Sequence, residues 1–447
     1  MMLGGLQAEI ERLFTAVPYG YVQSIVGNVV SVTGIERHAV IGGSCILYPQ
    51  SRAPISAEVV GLKDATVLVM VFEDLQGVGA GTRVEYVAHE SVIFPSDQWL
   101  GRVINGMGQP MDSLGPIQFG PQAYKILNSP LPASKRGLVQ QRLDVGVRAM
   151  NCFTTCCRGQ RMGIFAGSGV GKSVMLSQIA RFTEADVIVI GLIGERGREV
   201  REFLELYLGP EGLKRAVVVV ATSDESALMR RRAAYLTLSV AEYFRDQGQE
   251  VLCLMDSVTR FAMAMREIGL AVGEPPTTKG YTPTVFAELP RLLERAGPGD
   301  AELGGNITGL FTVLVDGDDH NEPVADAVRG ILDGHVVLER AIAERGRYPA
   351  INILRSISRT MPDCHNPNEQ ALVARAKRLL ATYEDMADMI RLGAYRKGSS
   401  AEVDEAIRYQ PALEAFLGQG KHESESLEGS FSKLQQVLMQ TAKPEAA

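Results

Sequence analysis

Residues 166–173 read Ala166-Gly167-Ser168-Gly169-Val170-Gly171-Lys172-Ser173. An apolar run, Met162-Gly163-Ile164-Phe165, precedes them, and a helix-like stretch, Val174-Met175-Leu176-Ser177-Gln178-Ile179-Ala180, follows. Strand, glycine-rich loop, Gly-Lys-Ser and helix is the order of a P-loop. Gly167, Ser168, Gly169, Val170 and Gly171 offer successive backbone N–H groups to phosphates, and the helix N-terminus adds a favourable dipole. Lys172 would reach the β and γ phosphates, and the Ser173 hydroxyl would bind Mg²⁺. The strict pattern opens with glycine where this chain has Ala166; a small residue still fits there. The expected substrate is ATP, with Mg²⁺ as its metal.

Working outward, 447 residues are too many for one ordinary domain. The chain is 46% hydrophobic and 22% charged, as soluble globular proteins are. No apolar run reaches the length of a transmembrane helix, and the first residues lack the basic and apolar regions of a secretory signal. A cytoplasmic protein is expected. The net charge of −7, with no basic tract, argues against non-specific binding to nucleic acid. The six cysteines (Cys45, Cys152, Cys156, Cys157, Cys253 and Cys364) have no disulfide-framework spacing and read as reduced thiols. No His accompanies the Cys152/Cys156/Cys157 group, and adjacent cysteines are awkward zinc ligands.

Four regions follow. Residues 1–20 hold an amphipathic helix, with Leu6, Ile10, Leu13, Phe14 and Val17 on one face; it packs on its own domain or docks a partner. Residues 21–94 carry short β-branched runs (22–32, 39–47, 57–60, 67–72 and 83–87) separated by turn signals, the pattern of a small β-barrel. Few aromatics interrupt them, which favours a structural role over base stacking. Residues 95–366 open with a proline-rich connection. Strands at 162–166, 186–193, 216–221, 250–256, 309–315 and 350–354 then alternate with helices such as 200–207 and 227–246. That alternation predicts an α/β domain with a mostly parallel sheet. Residues 367–447 read as helical, and the tail turns amphipathic at Phe431, Leu434, Val437 and Leu438.

Two carboxylates follow apolar runs. Val251-Leu252-Cys253-Leu254-Met255-Asp256 places Asp256 at a strand end, where a P-loop ATPase holds Mg²⁺ through its water shell. Ser257 follows, so the class with Glu directly after that Asp is disfavoured. Glu195 ends the strand after the P-loop helix and is the alternative group to orient water. Such a site also needs arginine, and Arg355 and Arg359 both end the run Ile351–Arg359; spacing leaves the choice between them open.

Several longer stretches are similar to one family: FAGSGVGKS (165–173), IGERGREV (193–200), the run from Cys253 to Gly297, ILDGHVVLERAIAERGRYPAINILRSISR (331–359), MADMIRLGAYRKGSSAEVDEAI (386–407), and, further upstream, LGRVINGMGQPMD (100–112) and 143–167. Over essentially its whole length the chain resembles the flagellar type III export ATPases, within the rotary ATP synthase alpha/beta-like group. The loop FAGSGVGKSV resembles the flagellar enzymes more than the injectisome ATPases, which share the chemistry.

The resemblance implies a RecA-like ATPase core between the barrel and the C-terminal helices. It implies Glu195 as the catalytic carboxylate, Arg196 and Glu199 as support for the metal and phosphate site, and Arg260 beside the γ-phosphate. It selects Arg359 as the finger and Tyr348 as the ring that stacks on adenine. Because one chain carries both Glu195 and Arg359, a homohexamer can build every site from one chain type. The 274–284 loop would face the ring's channel. Implied partners are a FliH-type stator regulator, a FliJ-type stalk protein, chaperone–substrate complexes and the export gate, with peripheral recruitment to the cytoplasmic membrane face. A Rho-type RNA translocase and a non-hydrolysing regulatory subunit are the competing classes.

Overall fold

Alternation of β-branched residues closes the first domain into a barrel. The computed structural model describes residues 17–50, 52–88, 91–315 and 322–440. Strands β1 (Tyr19–Val26), β2 (Val29–Thr33), β3 (Ser44–Tyr48), β4 (Ile55–Lys63), β5 (Thr66–Val71) and β6 (Arg83–Ala88) pair in the order β1-β2-β5-β4-β3-β6 and back to β1. All pairs are antiparallel. Val30, Val32, Leu47, Ile55, Val59, Val67, Val69 and Val84 are fully buried inside. Closure leaves no edge strand to template aggregation.

The single run expected at 22–32 is two strands. Gly27 (φ 58°) and Asn28 turn the chain between them, and a positive φ is what a tight hairpin requires. Most of the segment read as an N-terminal helix, residues 1–16, lies outside the described residues; Tyr19 and Gly20 belong to β1. The barrel is tied to the next domain by a buried ion pair between Glu58 of β4 and Arg231, and by the Ser226 hydroxyl donating to the Phe72 carbonyl at 2.9 Å.

The second domain is an α/β sheet. Its strands are β7 (Val103–Asn105), β8 (Arg161–Ala166), β9 (Val187–Glu195), β10 (Ala216–Thr222), β11 (Glu250–Asp256), β12 (Asn306–Leu314), β13 (Gly334–Leu338) and β14 (Ile351–Ser358). The spatial order is β14-β13-β8-β12-β11-β9-β10-β7. Every neighbouring pair is parallel except β13 with β14. A short strand, Gly297–Pro298, also pairs antiparallel with β12. The central strands are buried almost throughout, as a sheet covered on both faces requires. Two of the eight strands on this path escaped the sequence reading. β7 has three residues inside the proline-rich connection, and β13 follows a helix after only a short turn.

The helices that position the site and its supports are α1 (Arg148–Phe153), α2 (Lys172–Phe182), α3 (Gly197–Glu202), α4 (Ala227–Asp246), α5 (Val258–Ala271), α6 (Pro283–Leu293) and α7 (Pro323–Ile331). Ser226 and Ser257 cap α4 and α5 by accepting from the N–H groups of Met229 and Arg260. Parallel strands bring Ala166, Glu195, Thr222, Asp256 and Leu314 to one edge of the sheet, where such folds place ligands.

Three helices follow the sheet: α8 (Pro367–Arg391), α9 (Ala401–Leu417) and α10 (Leu427–Gln440). An Asn366/Glu369 capping box starts α8. Phe431, Leu434 and Leu438 of α10 are buried in one cluster with Phe153, Tyr409 and Leu413. At about 1.5–3 kcal/mol for each buried side chain, those three hold α10 to its own chain. Among the described residues, no helix is long and apolar enough to cross a membrane.

Candidate active site

The glycine-rich loop leaves β8 at Ala166, whose methyl is buried in the apolar core of the sheet, so alanine is accommodated in place of the usual first glycine. Gly169 (φ 79°) and Gly171 (φ 89°) adopt left-handed backbone. Gly171 is the N-cap of α2, and a Cβ there would lie 3.1 Å from the Tyr348 ring. Val170 turns its side chain into the core, so only its backbone can serve a phosphate. Arg340 donates to the Ser168 carbonyl at 3.0 Å and braces the loop from the far side.

Lys172 is the first residue of α2, and its ammonium lies between two carboxylates. Nζ is 2.5 Å from Asp256 Oδ1 and 3.6 Å from Glu195 Oε1. Asp256 ends β11 and Glu195 ends the neighbouring β9, so their convergence follows from the parallel register in which Leu192 pairs with Asp256. Burial by itself would favour neutral Lys172, but Asp256 and Glu195 outweigh it and raise its pKa above the ordinary value. The Thr312 hydroxyl donates to the same Oδ1 at 2.7 Å.

Glu195 titrates at about 7 instead of 4.5. Burial is the main cause and the Asp256 charge the second; Lys172 offsets part of both, and Glu199 pushes the same way as burial. Its buried Oε1 accepts no hydrogen bond from the described residues. Nor does Glu195 simply pair with the arginines beside it in sequence. Arg196 pairs with Glu199 at 3.7 Å and Arg198 with Glu202 at 3.2 Å, and both guanidinium groups point into solvent.

Arg260, in the first turn of α5, packs against Gly194 (φ 73°), where a Cβ would approach its side chain to 2.9 Å. Its Nε is buried without a hydrogen-bond partner, and no carboxylate of the described residues pairs with it. A cavity of about 540 Å³ collects these groups: Gly167, Ser168, Gly169, Gly171, Lys172, Ser173, Glu195, Arg196, Glu199 and Arg260 all line it. Asp256 sits behind Lys172, and Tyr348, half exposed, stands over Gly171 at the rim.

Arg359 is elsewhere. Leu338 pairs with both Ala166 and Ile351, whereas Ser358 pairs with Gly334. Arg359, one residue beyond Ser358 and bonded through its N–H to the Asp333 carbonyl, therefore lies about 16 Å further along the sheet than the loop edge, and about 10 Å across it, by ordinary strand spacings. Its side chain and that of Arg355 are exposed, with no partner among the described residues, and neither lines the cavity of its own chain. Sequence reading missed Thr312, a lone hydroxyl in the apolar run 309–315, and the contributions of Glu202 and Tyr207 to the cavity wall.

A lysine clamped by two strand-end carboxylates, beside a loop of left-handed glycines, is built to receive a polyphosphate. Residues 146–358 match the nucleotide-binding domain of the ATP synthase alpha/beta family, and residues 22–87 match its beta-barrel domain. Residues 365–436 match the T3SS EscN ATPase C-terminal domain. The chain belongs to the type III secretion branch of the ATP synthase alpha/beta family. In keeping with that family, it is an ATPase.

It is 58% identical to the flagellum-specific ATP synthase of Caulobacter vibrioides over 97% of this chain and 98% of that protein. The flagellum-specific ATP synthase of Bacillus subtilis is 50% identical, covering 93% and 94%. The type 3 secretion system ATPase of Xanthomonas euvesicatoria is 44% identical, covering 97% of each. Among solved structures, the assembled ATPase EscN of the enteropathogenic E. coli type III secretion system superposes with a TM-score of 0.87 at 41% identity, over 94% of this chain and all of that one. EscN in complex with its central stalk EscO gives a TM-score of 0.84 at the same identity and coverage.

Proposed function

We propose that this chain hydrolyses Mg²⁺·ATP as a homohexameric ring and so energises export of flagellar proteins. The observation that carries the reading is the Glu195–Lys172–Asp256 cluster at the cavity wall. Lys172 is held ready, and an arriving β,γ-phosphate offers it a better partner than Asp256. Ser173, Asp256 and Glu195 supply only oxygen donors, the set that suits Mg²⁺, and Oε1 of Glu195, 3.6 Å from the Lys172 ammonium, still accepts no hydrogen bond from the described residues. Ser173 would hold the ion directly and Asp256 through water, with Glu199 further out. The metal's chemistry is to neutralise charge on the phosphate oxygens.

Glu195 orients a water for in-line attack on the γ-phosphorus and takes its proton as the bond to ADP breaks. A base titrating near 7 is matched to that task at neutral pH. Arg260 faces the transferring group, and Arg196 steadies Glu199 on the outer wall. Arg359 is too far from its own loop, so its guanidinium serves a neighbouring copy, where such a finger contributes about 10³–10⁵ in rate. Tyr348 would stack on adenine at the rim.

The flagellar rather than injectisome assignment is supported by identities that reach 58% with a flagellum-specific relative against 44% with a secretion-system ATPase. The solved EscN–EscO complex supports docking of a FliJ-type stalk on this chain as well. A FliH-type regulator, chaperone–substrate complexes and the export gate complete the proposed partners, at the cytoplasmic face of the membrane. The test replaces the chromosomal gene with Glu195→Gln and measures flagellin in the culture medium. The reading predicts a loss of export with unchanged protein level; export at the wild-type rate would overturn it.

A further inference from the structure

Thr312 is fully buried on β12, between Phe311 and Val313. A hydroxyl in such a place costs stability unless it is bonded, and valine would fill the same space without that cost. Thr312 has two acceptors in reach. The Met255 carbonyl is 3.3 Å away and Asp256 Oδ1 is 2.7 Å away, so its one hydrogen belongs with the carboxylate. The register explains the meeting: Met255 pairs with Phe311, and the next step along both strands sets Asp256 beside Thr312.

Asp256 Oδ1 thus accepts two hydrogen bonds, from Lys172 and from Thr312, while Oδ2 accepts none from the described residues. The two donors differ in permanence. Lys172 must turn to the phosphates when nucleotide arrives. Thr312 is fixed in a strand. Once Lys172 leaves, Thr312 is the remaining described donor that can hold the plane of the carboxylate.

We infer that Thr312 is a positioning residue for ATP hydrolysis: its hydroxyl clamps Oδ1 of Asp256 after Lys172 has moved, leaving Oδ2 free for the hydrated metal that Asp256 would hold. This inference rests on the reading of Asp256 as the Mg²⁺-side carboxylate. Thr312 touches neither substrate nor metal, and it acts through Asp256.

The experiment compares Thr312→Val, Thr312→Ser and Asp256→Asn in the full chain. Two readouts are used: turnover as Mg²⁺ is titrated, and binding of a fluorescent ATP analogue in EDTA and in Mg²⁺. Thr312→Val should lower kcat about ten- to a hundred-fold, the scale of one lost hydrogen bond to a charged group. The Mg²⁺ concentration for half-maximal activity should rise several-fold, and the gain in analogue affinity that Mg²⁺ provides should shrink. Binding in EDTA and the melting temperature should stay at wild-type values, and Thr312→Ser should restore both Mg²⁺ readouts. If the valine variant does not fold, Thr312→Ala removes the same hydroxyl and carries the test. Wild-type kcat and Mg²⁺ dependence in a folded variant lacking the hydroxyl would overturn the inference. So would equal loss of binding with and without Mg²⁺ that serine does not rescue. If Asp256→Asn itself keeps Mg²⁺-dependent turnover, the metal-side reading of Asp256 falls, and this inference falls with it. If Asp256→Asn is inactive while Thr312→Val is normal, only the inference about Thr312 fails.

Discussion

Replacing Glu195 by glutamine should stop hydrolysis and, at the same time, make the nucleotide-free protein more stable at alkaline pH. The carboxyl of Glu195 titrates at about 7 in the fold against 4.5 ordinarily, because it is buried beside Asp256. Each unit corresponds to about 1.4 kcal/mol, so holding Glu195 ionised costs the folded state about 3 kcal/mol at pH 8. The folded pKa is the higher one. The folded state therefore binds the extra proton, and the stability linked to Glu195 is full below about 4.5 and is lost as pH rises through about 7. Glutamine is neutral at every pH and escapes that loss.

The difference in unfolding free energy, Glu195→Gln minus wild type, should grow by roughly 2–3 kcal/mol between pH 5 and pH 8. The assay is urea unfolding of both proteins, without nucleotide, at intervals across that range. Parallel curves at all pH values would refute the argument that Glu195 is a strained, destabilised base. The same variant should bind the fluorescent ATP analogue with affinity within a few-fold of wild type and show no turnover.

Two further substitutions probe the loop and its rim. Gly171→Ala should weaken ATP binding at least tenfold, and more than Gly169→Ala. Both positions have positive φ, which costs a non-glycine residue about 1–2 kcal/mol, but only at Gly171 does the added Cβ also meet the Tyr348 ring. Isothermal titration with ATP checks the order. Tyr348→Ala should raise the KM for ATP about tenfold with kcat within about twofold, since base stacking is worth roughly 1–3 kcal/mol and is made equally in ground and transition states. Tyr348→Phe should behave as wild type in steady-state kinetics.

The parts of this molecule that repeat a simple period were legible in the sequence. The apolar runs ending in Glu195 and Asp256 are strands because both faces of a parallel sheet are covered, and the loop between 166 and 173 has no other use for its left-handed glycines. The hairpin at Gly27-Asn28 was hidden because Val26 and Val29 continue the apolar run across it. β13 was hidden because it is short and has only a turn between it and the preceding helix. Thr312 was illegible for a different reason: a single hydroxyl in an apolar strand carries no spacing signal, and its partner is 56 residues away in sequence. Spacing also left Arg355 and Arg359 equivalent. The strand register sets both away from their own cavity, and Arg359 lies at the end of β14 nearer the opposite edge of the sheet.

That placement makes the central claim testable with two inactive proteins. Glu195→Gln chains lack the base and keep Arg359; Arg359→Ala chains lack the finger and keep Glu195. If the site is shared between copies, mixing the two at equal concentration before assembly should create complete sites wherever an Arg359 of one kind meets a Glu195 of the other. With random mixing in a ring of identical interfaces, about one-quarter of the sites qualify, so ATP turnover should recover to about a quarter of the wild-type rate. A mixture no more active than the two variants measured separately would contradict the shared site.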